Sequence, residues 1–146
     1  MIAVIEIPKG SNAKFEFKGG FFRLARFTTE AYPLDYGFFP GTLADDGDPL
    51  DVLVFSFRKL ATGDTIRVRP VGVLMMVDRG NRDNKVLAVL DGDPVYHEIK
   101  DVADVPPEIL RRISQFYHAM GKRDVQGWQD RDAAERVIMM LKKKVY

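Results

Sequence analysis

Four aspartates lie within seven residues of this chain: Asp45, Asp46, Asp48 and Asp51. Carboxylates this close repel one another, so they are tolerated either when water surrounds them or when a divalent cation lies among them. Gly47 permits a tight turn, Pro49 fixes the backbone angle φ, and the apolar run after Asp51 predicts a buried strand. Oxygen ligands on a stiff, sharply turned backbone suit Mg²⁺. The segment is a candidate metal site, and a solvated acidic turn is the commoner alternative.

A second acidic turn runs from Asp78 to Lys85 between two predicted strands. Asp78 and Asp83 flank a Gly-Asn turn and would face a common point if the turn folds back. Alone, this pattern is typical of a solvated hairpin connection. Together with the first cluster it predicts a barrel mouth where metal ions bridge carboxylates and a phosphate substrate, while cations hold the remaining oxygens. The side chains on or beside other strands that would join it are Lys14, Glu16, Arg26, Tyr36 and Lys85.

The composition argues against several classes of protein. With 146 residues, 46% of them hydrophobic, and no linker-like segment, the chain is predicted to form one domain over residues 1–146. A formal net charge of +1 argues against a nucleic-acid partner. The chain has no cysteine, which excludes a disulfide scaffold, a thiolate zinc site and a cysteine nucleophile. Because its apolar runs are short and it begins without a signal-like segment, we expect a cytoplasmic protein with no membrane partner.

Strand-like patterns fill the first two-thirds of the chain. The predicted strands are Ile2 to Ile7, Lys14 to Phe17, Phe21 to Phe27, Asp51 to Phe57, Thr65 to Val77 and Lys85 to Leu90. The longest of them is expected to bend near Pro70 and Gly72. The segment from Thr28 to Asp48 is rich in Gly, Pro and Asp and is interpreted as a loop. Strands in this number and order predict a closed or nearly closed barrel.

The last third of the chain changes to helical periodicity. Apolar residues recur at helical spacing over residues 109–120, with Asp104 as the predicted N-cap and Gly121 as the residue that follows the helix. A second helix is predicted from Asp130 to about Lys144, with lysines at its C-terminus where the helix dipole favours cations. The fold class is therefore α+β, with the barrel first and two C-terminal helices after it.

The motif Asp46-Gly47-Asp48-Pro49-Leu50-Asp51-Val52 resembles the signature of the family I soluble inorganic pyrophosphatases. The flanking segments that resemble this family in type and order are Glu6-Ile7-Pro8, Lys14-Phe15-Glu16, Arg26-Phe27, Tyr32-Pro33, Tyr36-Gly37, Arg69-Pro70-Val71-Gly72-Val73-Leu74, Asp78, Asp83, Lys85, Ile99-Lys100-Asp101-Val102 and Gly127-Trp128. The resemblance implies a five-stranded OB-like β-barrel with flanking strands and helices. It also implies magnesium-dependent hydrolysis of pyrophosphate to two orthophosphates, by direct attack of a metal-bridged water.

Carried over position by position, the resemblance implies a role for each site residue. The metal ligands would be Glu16, Asp46, Asp51, Asp78 and Asp83, with Asp51 bridging two of several Mg²⁺ ions. Asp48 would be the general base, and Glu6 would be a supporting acid at the edge of the site. The phosphate oxygens would be bound by Lys14, Arg26, Tyr36 and Lys85. The absence of a cysteine and of a plausible Ser-His pair is consistent with direct attack by water.

The chain departs from the family pattern at the end of the first predicted helix. Where the family usually has a Tyr-Lys pair that contacts phosphate, this chain has Met120 and Gly121, and Lys122 comes one residue later. The phosphate pocket would then lack two ligands, or recover one through Lys122. One alternative function is therefore a weakly active family member that binds or cleaves another phosphoanhydride.

A third hypothesis is an OB-barrel module that binds nucleic acid, since many OB barrels do. The nearly neutral charge and the two aspartate clusters argue against it. The family resemblance also implies a homo-oligomer, with a hexamer as one candidate, and a small-molecule substrate, pyrophosphate.

Overall fold

The computed structural model describes residues 1–121 and 123–143, which form nine strands, two α-helices and one 3-10 turn. The strands are β1 (Ile2–Ile7), β2 (Ala13–Lys18), β3 (Phe21–Phe27), β4 (Asp35–Phe38), β5 (Asp51–Phe55), β6 (Thr65–Asp78), β7 (Asn81–Arg82), β8 (Lys85–Leu90) and β9 (Arg123–Gln129). The helices are α1 (Pro107–Ala119), which a 3-10 turn at Val102–Asp104 precedes, and α2 (Arg131–Leu141).

Five strands close into a ring in the order β1, β4, β5, β8 and β6, with β6 pairing back onto β1. The strands β5 and β8 are parallel, and the other pairs of the ring are antiparallel. The second half of β6 also pairs with β7 and β9, whereas β2 and β3 form a separate hairpin sheet. The predicted α+β fold with a five-stranded OB-like barrel is therefore confirmed.

Strand β6 bends near Pro70 and Gly72, as predicted from the sequence. The register against β8 shifts between Pro70 and Gly72. A Cβ atom at Gly72 would lie 2.8 Å from Cβ of Val102, closer than side-chain atoms can approach. The glycine therefore lets the bent strand pass beneath the 3-10 turn, and one strand can serve both the ring and its extension.

The prediction of an unbroken loop from residue 28 to residue 48 is wrong, because β4 lies within it. A Cβ atom at Gly37 would lie 2.0 Å from the carbonyl oxygen of Val4 on β1, so only glycine fits this position in the strand. Such a glycine is easily read as a turn residue. The close approach of β1 is a tertiary constraint that the local pattern does not reveal.

Both faces of the central strands are buried. Val52 and Val54 belong to an apolar cluster that α2 covers, while the alternate residues Leu53 and Phe55 belong to a second cluster that α1 covers. The apolar run that begins after Asp51 is thus a strand covered on both sides. This packing holds the ends of β5 and β8 rigidly, and the polar side chains at those ends are positioned with them.

The ends of the helices agree with the sequence in part. Asp104, the predicted N-cap, lies in the preceding turn, where its carboxylate accepts two backbone N–H bonds, and the N-cap of α1 is Pro106. Gly121 does follow the helix, with φ at 71°. Asp130 caps α2 as predicted, but that helix ends at Leu141, and residue 144 lies outside the described residues. Neither helix combines the length and apolar character needed to cross a membrane, within the part of the chain that the structure describes.

Candidate active site

The parallel pairing of β5 and β8 sets the deepest part of the site. Asp51 and Lys85 are the first residues of these strands and are partners in register, so their side chains emerge side by side. Nζ of Lys85 donates hydrogen bonds to Oδ2 of Asp51 at 2.5 Å and to Oδ1 of Asp83 at 2.8 Å. The side chain of Lys85 is 4% exposed. We call Asp51, Asp83, Lys85 and the neighbouring buried Glu6 the floor of the site.

The floor keeps its lysine charged. Burial acts to lower the pKa of Lys85, but the two carboxylates outweigh burial and raise this pKa above its ordinary value. The ammonium also lies 5.6 Å from the ring centre of Tyr36 and 5.5 Å from that of Tyr117. Aromatic faces at such distances stabilise a cation. Lys85 is therefore a fixed positive charge between two carboxylates.

One lysine does not compensate all the acids of the floor. Burial raises the pKa of Asp51 to about 6, although Lys85 opposes this effect. Burial also acts to raise the pKa of Asp83. The charge and the hydrogen bond of Lys85 outweigh burial there, so the pKa of Asp83 is lowered. Glu6 accepts a backbone N–H bond from Phe17, yet burial, with help from Asp51, raises its pKa to about 7. The single positive charge of Lys85 therefore does not balance the three carboxyl groups of the floor, and a further cation would stabilise their ionised forms.

The acidic turn before β5 forms an exposed edge above the floor. Oδ1 of Asp46 accepts the backbone N–H of Asp48 at 3.0 Å, and Gly47 between them has φ at 86°. Asp45 lies beside them but forms an ion pair with Arg82, with 3.2 Å between Nε and Oδ2. We call Asp45, Asp46 and Asp48 the rim. Its carboxylates are held by a turn of the backbone and remain open to water.

The floor and part of the rim line one cavity of about 190 Å³. The predicted site residues that line this cavity are Glu6, Lys14, Glu16, Tyr36, Asp46, Asp48, Asp51, Asp78, Asp83 and Lys85. The two acidic turns are far apart in sequence but meet at this cavity, as predicted from the sequence. Of the predicted site residues that the structure describes, all but Arg26 line this cavity.

Two predicted residues remain, Arg26 and Lys122. Arg26 is exposed and lines a neighbouring cavity of about 250 Å³, although it is the cross-strand partner of Lys14 in the β2–β3 hairpin. Because the two cations are cross-strand partners, the charge of Arg26 adds to the effect of burial and lowers the pKa of Lys14. Lys122, the predicted replacement for the missing lysine, lies outside the described residues.

Sequence reasoning missed Arg123, which also lines the main cavity. Arg123 begins β9 and is the register partner of Asp78, the last residue of β6, so the sheet places their side chains together. The two charged groups are 3.6 Å apart, measured from Nε to Oδ2. The segment 123–129 alternates too weakly in hydrophobicity to predict a strand. The available signal was a second cation after Lys122, two residues beyond the glycine that follows α1.

The donor set fits a hard metal ion. The carboxylates that could ligate one are those of Glu16, Asp46, Asp51, Asp78 and Asp83, and Asp51 lacks full charge compensation. Within residues 1–121 and 123–143, no three acidic or histidine side chains are already arranged around a single metal position. Mg²⁺ is usually held by one or two carboxylates, with waters and substrate phosphates completing its shell. The cavity therefore fits Mg²⁺ together with a phosphate ligand, without a preformed protein cage.

A closed barrel whose edge gathers carboxylates beside lysine and arginine is typical of an enzyme that binds phosphate groups through metal ions. The family model for inorganic pyrophosphatase matches residues 3–145. The inorganic pyrophosphatase of Methanosarcina mazei is 42% identical over 148 residues, which is 95% of this chain and 88% of the relative.

Solved structures agree with this match. The inorganic pyrophosphatase of Thermus thermophilus superposes with a TM-score of 0.90 at 39% identity, covering 97% of this chain and 88% of that chain. A second solved structure is that of an N-terminally truncated vacuolar soluble pyrophosphatase of Trypanosoma cruzi in complex with PPi. It superposes with a TM-score of 0.81 at 25% identity, covering 96% of this chain and 66% of that chain. The chain therefore belongs to the inorganic pyrophosphatase family, and the predictions of this family and of an enzyme are confirmed.

Proposed function

We propose that the protein hydrolyses inorganic pyrophosphate to two orthophosphates in a magnesium-dependent reaction. The observation that carries this proposal is the floor, where two largely enclosed carboxylates share a single lysine and line a cavity together with further acids and cations. The T. cruzi relative is named as a complex with PPi, which supports pyrophosphate as the substrate.

The rim supplies the proton acceptor. Asp48 is exposed, and its backbone is fixed by the bond to Asp46, so its carboxylate is held at the cavity without being buried. It would accept the proton of the attacking water as a general base. Bound Mg²⁺ would neutralise the charge of pyrophosphate and lower the pKa of a shared water. No serine, cysteine or histidine is among the described residues that line the cavity, which favours direct attack by water.

The remaining polar groups would bind the phosphate oxygens. Lys14 lies 3.6 Å from Glu16, so it can exchange that partner for a phosphate oxygen. Burial raises the pKa of Tyr36 well above its ordinary value, so its hydroxyl stays protonated and can donate a hydrogen bond. Lys85 and Arg26 would act from the floor and from the neighbouring cavity. Such charge-assisted bonds both orient the substrate and stabilise the leaving phosphate.

A phosphate-release assay tests the function. We expect rapid release from magnesium pyrophosphate, and slow release from magnesium ATP under the same conditions. Ca²⁺ accepts the same oxygen ligands but is larger and less strict in geometry, so it should fail to support turnover and should inhibit when added beside Mg²⁺. No release from magnesium pyrophosphate, or equal turnover with Ca²⁺ alone, would contradict the proposal.

The second candidate is a weakly active member that acts on or binds another phosphoanhydride. The replacement of the usual Tyr-Lys pair by Met120 and Gly121 favours it, because neither residue has a side chain that can donate a hydrogen bond to phosphate. Faster release from ATP than from pyrophosphate would select this candidate. Filter binding of labelled single-stranded DNA and RNA addresses the nucleic-acid alternative, for which we expect no retention.

We further propose that residues 1–146 form one domain and that the protein acts in the cytoplasm as a homo-oligomer, with a hexamer as the candidate. Light scattering after size exclusion measures the assembly directly. A monomeric mass at working concentration would contradict this part of the proposal.

A further inference from the structure

We infer that Arg123 is a substrate-binding residue that donates hydrogen bonds to a phosphate group of pyrophosphate and supplies a cation at the end of the site where Met120 and Gly121 provide none. This inference rests on the function proposed above. In the sequence analysis, the cation that would bind this phosphate was expected directly after the first C-terminal helix. The inference places that cation on β9 instead.

The backbone places Arg123 at the cavity. The helix α1 ends at Ala119, Gly121 turns the chain with φ at 71°, and β9 begins at Arg123. The pairing of β9 with β6 then fixes the arginine opposite Asp78. A short connection and a sheet register therefore determine this position, so the cation is held on a rigid element.

The guanidinium is enclosed but poorly satisfied. The side chain of Arg123 is 15% exposed, and its Nε is buried without a hydrogen-bond partner among the described residues. Asp78 is an ion-pair neighbour at 3.6 Å, which is too distant for a hydrogen bond. An Nη1 group donates to Sδ of Met120, and a thioether is a weak acceptor. A buried cation with unmet donors is costly, so its place beside the cavity indicates a ligand with oxygen acceptors.

The surroundings of Arg123 select an anion of high charge. It shares the cavity with two further cations, Lys14 and Lys85. Cations brought together in this way repel one another and are stabilised by a multivalent anion between them. Arginine also presents a planar set of donors that matches two oxygens of one phosphate, which lysine does not. Pyrophosphate has both the charge and the oxygen geometry.

The test compares Arg123→Met, which keeps the length and removes the charge, with Arg123→Lys, which keeps the charge and removes the paired donors. Arg82→Met is the matched control, since Arg82 also pairs with an aspartate but does not line this cavity. Calorimetry measures the affinity of each protein for imidodiphosphate, a non-hydrolysable analogue of pyrophosphate, with Mg²⁺ present. Steady-state assays with pyrophosphate give kcat and KM.

We expect Arg123→Met to bind imidodiphosphate about ten- to a hundredfold more weakly, with a similar loss in kcat/KM, because a charge-assisted bond is lost. Arg123→Lys should lose about three- to tenfold, and Arg82→Met should stay within about twofold of the parent. Thermal unfolding checks that each variant is folded. If Arg123→Met does not fold, Arg123→Lys alone decides, and parent-like affinity in that variant overturns the inference.

The two proposals fail in different ways. If the parent hydrolyses pyrophosphate while Arg123→Met binds imidodiphosphate and turns over like the parent, the role of Arg123 is overturned and the function stands. If the parent neither hydrolyses pyrophosphate nor binds the analogue, the proposed function is overturned, and this inference with it.

Discussion

The floor and the rim of the cavity are built from the same residue type and behave differently. Of the floor acids, Asp83 is buried and Asp51 is half-buried, and the ammonium of Lys85 contacts both carboxylates. The rim acids Asp46 and Asp48 are exposed and are held by a hydrogen bond between the side chain of one and the backbone of the other. Both sets of acids line one cavity, so burial is what distinguishes them.

This difference separates two kinds of task. A buried carboxylate without full compensation has a raised pKa, as Asp51 does, and gains from a metal ion that supplies the missing charge. An exposed carboxylate has little to gain in stability and can give or take a proton with water nearby. The floor should therefore control stability and contribute to metal affinity, while Asp48 of the rim should control turnover.

The largest expected effect is a loss of turnover when Asp48 of the rim is replaced. Asp48→Asn should lower kcat by about 10² to 10⁴, because the proposed general base is removed, while the free energy of unfolding should change by less than about 0.5 kcal/mol. Asp51→Asn is the comparison on the floor, and it should instead weaken Mg²⁺ binding sharply. Magnesium titrations, kcat and urea denaturation of both variants give the answer. If the two variants bind Mg²⁺ and turn over like the parent, the division of tasks is wrong.

The next effect is on the floor, in the metal-free protein. Lys85→Met leaves Asp51 and Asp83 facing each other without their shared cation, and we expect a loss of about 3 to 5 kcal/mol in the free energy of unfolding. Asp51→Asn should cost less, because a one-to-one pair of Lys85 with Asp83 remains. Urea denaturation with a chelator measures both changes, and added Mg²⁺ should restore part of the loss in Lys85→Met. A loss below about 1 kcal/mol would show that the floor is not an electrostatic centre.

A smaller effect is the pH dependence that Glu6 contributes. Burial raises the pKa of Glu6 from its ordinary value of 4.5 to about 7 in the folded protein, so between these pH values the folded state binds more protons than the unfolded state. Stability of the metal-free protein should therefore fall as pH rises through this window, by up to about 3 kcal/mol from this group. Asp51, whose pKa is also raised, acts in the same direction.

Glu6→Gln keeps an acceptor for the backbone N–H of Phe17 but cannot titrate. Urea denaturation at about pH 5 and about pH 7.5, in chelator, should show a flatter pH dependence for this variant than for the parent. An unchanged slope would assign the pH dependence to other groups.

Sequence reasoning succeeded where chemistry and local pattern coincide. The rim was predictable because Gly47, Pro49 and the apolar run after Asp51 define a turn followed by a strand, and the bend of β6 was marked by Pro70 and Gly72. The meeting of the two acidic turns followed from strand ends in a barrel. Local signals of this kind need no knowledge of distant neighbours.

Prediction from the sequence failed where contacts between distant segments determine the position of a residue or a strand. The position of Gly37 in β4 depends on the approach of Val4, and the strand β9 depends on pairing with β6 rather than on its own pattern. The bridging of two carboxylates by Lys85 follows from parallel register, which was not predicted. Arg123 was missed for the same reason, since only its pairing opposite Asp78 brings it to the cavity.

The smallest expected effect concerns Asp45, which belongs to the rim in sequence but is turned toward Arg82. Both partners of this ion pair are exposed to solvent, and such pairs contribute about 0 to 1 kcal/mol. Asp45→Asn should therefore change the free energy of unfolding by less than about 1 kcal/mol and kcat/KM by less than about twofold. It is also the matched control for Asp48→Asn, because the same chemical change is made three residues away on the same turn. Urea denaturation and steady-state assays of the two variants side by side provide the measurement. A loss of turnover in Asp45→Asn as large as that in Asp48→Asn would mean that the rim acts through its summed negative charge, and the general-base role of Asp48 would then lose its support.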